Sequence, residues 1–161
     1  MSLGLYLHIP YCFSKCRYCD FYSHPGERGV PEAYVDALVR ELSRFAPEVP
    51  LQPDTLYFGG GTPSLLRPEQ AKRLIDAARP MPGAEITLEA NPETVTEESL
   101  AGFREAGVNR ISFGVQSARD TQLRTLGRPH TAKQARAAFA AAWRAGFANI
   151  SGDIMLALPH Y

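Results

Sequence analysis

A chain of 161 residues with 45% hydrophobic and 21% charged residues has the size and composition of one globular domain, able to bury roughly 70% of its unfolded surface. Lys plus Arg and Asp plus Glu both number 17, so the formal net charge is zero, and the basic footprint of a non-specific nucleic-acid binder is missing. No apolar run approaches a bilayer span, and Met1-Ser-Leu-Gly-Leu-Tyr-Leu-His8 has neither the basic start nor the apolar stretch of a signal peptide, so a cytoplasmic protein is expected.

Strand and helix patterns alternate along the chain. Leu3 to Ile9 reads as a short apolar strand that runs into a cysteine-bearing loop. Pro31 to Ala46 reads as a helix, with proline near its start and Val35, Leu38, Val39, Leu42 and Phe45 on one stripe. Thr55 to Phe58 is a buried strand ending in Gly59-Gly60-Gly61-Thr62-Pro63, and Pro68 to Arg79 is a helix with Ala71, Leu74, Ile75 and Ala78 inward. Glu85 to Ala90 is a third strand, ending in Asn91-Pro92. Thr96 suits an N-cap, with Glu97 and Glu98 in the first turn and Gly107 past the end. Arg110 to Val115 is a fourth strand, Thr131 caps an Ala-rich helix running to Ala145 and closed by Gly146, and Ile150 to Leu158 is a fifth strand. Trp143 is expected in the core.

Ala106-Gly-Val-Asn-Arg-Ile-Ser112 echoes Ala145-Gly-Phe-Ala-Asn-Ile-Ser151 after 39 residues, the period of one βα unit. Repeated βα units with short joints predict parallel strands and right-handed crossovers, in either a barrel or an open doubly wound sheet. A fifth apolar strand at the end of the chain would leave an open edge. The expectation is therefore the N-terminal part of a longer protein; the alternative is a partner subunit that covers the edge.

All three cysteines fall in Cys12-Phe-Ser-Lys-Cys16-Arg-Tyr-Cys19. A chain that places every thiol at one C-x3-C-x2-C site is most simply building a metal site. Three thiolates on a [4Fe-4S] cluster leave one iron free to bind something that reacts, and the interleaved Lys15 and Arg17 favour thiolates. The rival is zinc, bound by the cysteines with His8 or His24, but structural zinc sites usually use paired C-x2-C knuckles. The remaining candidates also end strands, where parallel α/β folds gather their active groups. The triple glycine lets backbone approach a ligand, or is a tight turn. Glu89, Gln116 and Asp153 interrupt apolar strands and need partners, ligand or structural. Arg128 in Leu126-Gly-Arg-Pro is an anion clamp or a solvated charge. His8 and His130 read as capping or partly buried side chains.

The cysteine spacing on the loop after a first strand resembles the radical S-adenosylmethionine superfamily. There three cysteines hold a [4Fe-4S] cluster, and the methionine end of S-adenosylmethionine chelates the open iron. Leu5-Tyr-Leu-His-Ile-Pro10, Gly59-Gly-Gly-Thr-Pro63, Glu89-Ala-Asn-Pro92, Phe113-Gly-Val-Gln-Ser117 and Asp153-Ile-Met-Leu-Ala-Leu-Pro159 are similar to the oxygen-independent coproporphyrinogen III oxidase group, over essentially the whole chain. The oxidase carries a further cysteine two places after the third, where this chain has Phe21, and an N-terminal extension that this chain lacks. Both features resemble the HemW-type haem chaperone branch instead.

The resemblance implies an α/β fold, a partial TIM-like (β/α) barrel of about five βα units. Residues 1–161 would be the N-terminal part of the radical S-adenosylmethionine core, with a further strand and a C-terminal domain to follow. It implies metal ligands Cys12, Cys16 and Cys19. Tyr6 would pack on the cofactor near the cluster, Tyr18 would touch its adenosyl part, and Gly60, Gly61 and Thr62 would meet its methionine end. Glu89 would be the cofactor-site carboxylate, and Gln116, Arg128 and Asp153 would contact a second cofactor molecule. Haem binding, through a His-Asn-x-x-Tyr-Trp element in the later part, is expected of the full-length protein, with haem passed to a respiratory apoprotein and a homodimer possible. The oxidase reading instead implies radical decarboxylation of a porphyrinogen, and the zinc reading a binding module without redox chemistry.

Overall fold

The computed structural model describes residues 3–45 and 52–158. The predicted ends of the first helix at Ala46 and of the last motif at Pro159 lie outside those residues. Five parallel strands form the main sheet: β1 Gly4–Ile9, β4 Thr55–Gly60, β5 Glu85–Ala90, β6 Arg110–Gln116 and β7 Asn149–Ile154. Two short pairing segments, β2 Tyr11–Cys12 and β3 His24–Pro25, close the base of the cysteine loop. The helices are α1 Glu32–Phe45, α2 Pro68–Ala78, α3 Glu97–Ala106, α4 Asp120–Leu126 and α5 Ala132–Arg144. None among the described residues is long and apolar enough to cross a membrane.

The sheet order β1-β4-β5-β6-β7 follows the chain without reversal. A doubly wound sheet reverses direction at a switch point, whereas an order that never reverses, with right-handed crossovers, keeps every helix on one face. The helices accordingly pack in sequence, α1 on α2, α2 on α3 and α3 on α5. The fold is a partial (β/α) barrel, and the choice left open by periodicity is resolved by strand order.

Alternation divides the sheet. Leu7, Ile9, Leu56, Phe58, Ile86, Leu88, Ile111 and Phe113 face the helices and are buried in one core with Leu74, Leu100, Phe103 and Phe147. Phe113 and Phe139 of α5 meet with ring centroids 5.0 Å apart. The opposite, concave face carries Tyr6, Tyr57, Thr87, Glu89, Arg110, Ser112 and Ser151 at the alternate positions. The sequence echo has a structural counterpart: Ser112 and Ser151 are partners in register, and their hydroxyls lie 3.0 Å apart.

Thr96 and Thr131 cap α3 and α5 as expected, accepting from the Ser99 and Gln134 amides at 3.1 and 3.2 Å. Three expectations need correction. Helix α4 lies between the fourth strand and Thr131, where no element was expected. Strand β7 ends at Ile154, not Leu158. Trp143 is 69% exposed; Ala132, Ala135, Ala138 and Ala142 form the buried stripe of α5, and Trp143 falls beside it.

Candidate functional site

The carboxyl ends of the five strands surround a cleft of about 150 Å³. Cys12, Cys16, Tyr18, Cys19, Gly60, Gly61, Thr62, Glu89, Gln116, Arg128 and Asp153 all line it. Tyr6 does not; it stands on the concave face beneath, stacked on Tyr57 with centroids 6.1 Å apart.

The cysteine loop is seated by backbone bonds. His24 N donates to Pro10 O at 2.6 Å, Glu27 N to Cys12 O at 3.1 Å, and Arg17 N to Leu126 O at 3.1 Å. Lys15 closes the loop on itself, donating from Nζ to Phe21 O at 2.7 Å. Cys12 is buried, whereas Cys16 and Cys19 are partly exposed.

The glycine run lies against this loop. Gly61 N donates to Ile9 O at 2.9 Å and Thr62 N to Tyr11 O at 2.7 Å. A Cβ on Gly61 would fall 2.6 Å from Tyr11 O and 2.9 Å from Cys12 Sγ. Gly60 has a φ of +116°, and a Cβ there would meet the His8 ring at 2.6 Å. The run is therefore packed so closely on His8 and the cysteine loop that any side chain would clash, which goes beyond what a tight turn requires.

Glu89 is held from two sides: Tyr57 Oη donates to Oε1 at 2.7 Å and Gly60 N to Oε2 at 3.3 Å. Burial raises its pKa, against the pull of those two donors. Burial also raises the Tyr57 phenol, which its bond to Glu89 raises further, so the tyrosine stays the donor. Tyr18 is pushed up to about 12, first by burial. Gln116 adopts a positive φ of 64° at an irregularity between Gly114 and Gln116, a conformation that costs a non-glycine residue of order 1–3 kcal/mol. Asp153 lies opposite Gly114 on β7 and is exposed.

Arg128 is buried, not a solvated loop charge. Its Nη2 donates to Asn91 Oδ1 at 2.6 Å and to Gly114 O at 2.5 Å, and its Nη1 to Cys16 Sγ at 3.4 Å. Its Nε has no partner. Burial opposes its charge, but the Cys16 sulfur and neighbouring groups hold the guanidinium protonated.

Asn91 and Tyr57 carry site geometry that the sequence reading did not assign. The signal for Tyr57 was its alternation with Gly59 on β4. Asn91 showed as a polar residue ending the third strand, without a role of its own. His8 and His24, the zinc candidates, have other engagements: His8 Nε2 bonds Tyr22 O at 3.1 Å, His8 Nδ1 bonds Tyr6 Oη at 3.1 Å, and His24 Nε2 bonds Tyr22 Oη at 3.3 Å. Among the described residues no three His, Cys, Asp or Glu side chains converge on one ion position. A cluster asks for less convergence, since each thiolate binds a different iron. Three thiols opening on one cleft, with the two candidate histidines engaged elsewhere, fit a [4Fe-4S] cluster with one iron left for an exogenous ligand.

The model of the Radical SAM superfamily matches residues 6–161. Heme chaperone HemW of Escherichia coli (strain K12) is 42% identical over 98% of this chain and 43% of its own length. Heme chaperone HemW of Bacillus subtilis (strain 168) is 40% identical over 96% of this chain and 42% of its own length. Among solved structures, coproporphyrinogen III oxidase (HemN) from Escherichia coli, a radical SAM enzyme, superposes with a TM-score of 0.88 at 30% identity, covering 99% of this chain and 38% of that one. The chain thus spans less than half the length of these relatives. The match over residues 6–161, on a cleft lined by three clustered thiols, a glycine run and a strand-end carboxylate, means that the chain belongs to the radical S-adenosylmethionine superfamily.

Proposed function

We propose that residues 1–161 form the N-terminal part of the cofactor-binding core of a cytoplasmic haem chaperone, one that binds haem through its later part and delivers it to a respiratory apoprotein. The observation that carries the reading is the opening of the three thiols onto the same cleft as the Gly60–Thr62 backbone and the Glu89 carboxylate. Similarity at 42% and 40% identity to two proteins named heme chaperone supports the choice of branch, as does Phe21 in the place of the oxidase's further cysteine.

In this reading Cys12, Cys16 and Cys19 hold a [4Fe-4S] cluster. S-adenosylmethionine would be held by Glu89, by the backbone of Gly60, Gly61 and Thr62, and by Tyr18, which line the same cleft. Bound together, the two groups supply one-electron cleavage of a sulfonium. The chain's part is to hold Glu89 as an acceptor, with Tyr57 on one oxygen and Gly60 on the other, and to keep water from the buried Cys12 side. Gln116, Arg128 and Asp153, on the β6–β7 side, form the place for a second cofactor molecule. Tyr6 supports this layer through Tyr57.

The oxidase is the second reading, favoured by the TM-score of 0.88 to HemN. Anaerobic reconstitution with iron and sulfide is expected to give a brown protein with about four irons per chain; a colourless zinc protein would overturn both readings. Stoichiometric haem binding by the full-length protein without turnover supports the chaperone, and conversion of coproporphyrinogen III would replace it with the oxidase. Sedimentation of the reconstituted protein with and without S-adenosylmethionine tests for a homodimer.

A further inference from the structure

One hydrogen-bonded chain joins two of the three thiols across the floor of the cleft. Arg128 Nη1 donates to Cys16 Sγ at 3.4 Å, and Nη2 donates to Asn91 Oδ1 at 2.6 Å. Asn91 Nδ2 donates to Thr62 Oγ1 at 3.1 Å, and the Thr62 hydroxyl donates to Cys12 Sγ at 3.6 Å. The direction is fixed by chemistry. A guanidinium can only donate, so the amide oxygen of Asn91 must face Arg128 and its NH2 must face Thr62. With that lone pair of Oγ1 occupied by Asn91, the threonine hydrogen is free to point at sulfur. Every member is buried or half-buried, and Gly114 O, accepting from Nη2 at 2.5 Å, anchors the guanidinium from the sheet.

The geometry points to Arg128, Asn91 and Thr62 as the tuning chain of the metal centre, a set of fixed donors that raises the reduction potential of the cluster held by Cys12, Cys16 and Cys19. The inference rests on the cluster assignment above and goes beyond it by giving Arg128 a role toward the cluster itself. When an external reductant such as dithionite supplies one electron, no bond forms or breaks, and the cluster with its ligands becomes one unit more negative. Donors aimed at ligand sulfur and a cation in a low-dielectric wall favour the more negative state. The unpartnered, buried Nε of Arg128 marks the guanidinium as held for its position, since it forgoes a bond that a surface arginine would make to water.

The test is the midpoint potential of the reconstituted chain, followed by electron paramagnetic resonance in a dithionite titration, with iron per chain measured on each sample. Arg128→Met and Thr62→Val are both expected to lower the potential, Arg128→Met by more, and Thr62→Ser to restore it. Asn91→Ala, which leaves both donors present but unanchored, is expected to give a smaller downward shift. Lys72→Gln, which removes an exposed charge of α2 paired with Asp76 at 2.8 Å, is expected to leave the potential unchanged. Wild-type potentials in Arg128→Met and Thr62→Val at full iron content overturn this inference and leave the cluster assignment standing. If Arg128→Met does not load iron, Thr62→Val against Thr62→Ser decides. A wild-type chain that takes up no cluster overturns the assignment and this inference together.

Discussion

The two faces of one sheet obey different rules. On the helix side, Leu56, Phe58, Leu88, Ile111 and Phe113 are fully buried in one apolar core. On the concave side, one residue away in every strand, Tyr57 bonds Glu89, and Arg110 bonds Thr87 and Ser151 at 3.3 and 2.9 Å. Completed TIM barrels commonly fill the interior with layers of branched aliphatic side chains; here the interior face is hydroxyl, phenol and charge. The lesson is a division of labour along a two-residue period: stability is lodged on one face and ligand chemistry on the other.

Substitutions can break or sharpen that division. The largest effect is expected on the helix side, where Phe58→Ala removes a fully buried ring. It should cost about 3–5 kcal/mol, much of a typical domain's stability of about 5–15 kcal/mol, and be read as a fall in the urea midpoint. An unchanged midpoint would mean that the face is not where stability resides. Gly61→Ala comes next, because its methyl would fall 2.6 Å from Tyr11 O; roughly 1–3 kcal/mol of strain is expected, together with impaired iron uptake as Cys12 is displaced.

On the concave face the effects shrink. Tyr57→Phe deletes the donor to Glu89 Oε1 and should cost about 1 kcal/mol, while weakening S-adenosylmethionine binding measured by calorimetry on the reconstituted protein. The effect of Glu89→Gln on stability should depend on pH. Burial raises the native pKa of Glu89 above its ordinary value of 4.5, so the folded state holds the proton more tightly than the unfolded one. The contribution to stability is fully present below about pH 4.5 and is lost as pH rises through the native value. Glu89→Gln removes this loss, so its stability relative to wild type should improve across that window in denaturation curves taken at stepped pH. Trp143→Ala, on the exposed side of α5, should stay within about 0.5 kcal/mol in the same assay.

Most of the division was legible from the sequence, because period-two alternation and threonine caps are local signals. The run Glu85-Ile-Thr-Leu-Glu-Ala90 announces its two faces without reference to anything else. Helix α4 was not legible, because its seven residues place only Leu123 and Leu126 in the core, too few for a periodic stripe; the glycine at 127, with a φ of 73°, was the one usable mark of its end. Trp143 misled because it was placed on the apolar side of its helix, whereas the buried stripe of α5 is made of alanines and Trp143 falls beside it. At the site, cysteine spacing revealed the ligands, but the partner of Cys16 lies 112 residues away, and no local pattern encodes such a contact.

That separation also sets a clock during synthesis. The cysteine loop is made before Leu126 and Arg128, yet its seat includes Leu126 O and Arg128 Nη1. A ribosome adding about 5–20 residues per second needs roughly 6–22 s to cover the 112 residues between Cys16 and Arg128. For that interval the nascent chain presents Cys16 without its donor, so iron delivered early would meet an unfinished ligand set, and iron delivered after Arg128 emerges would meet a finished one.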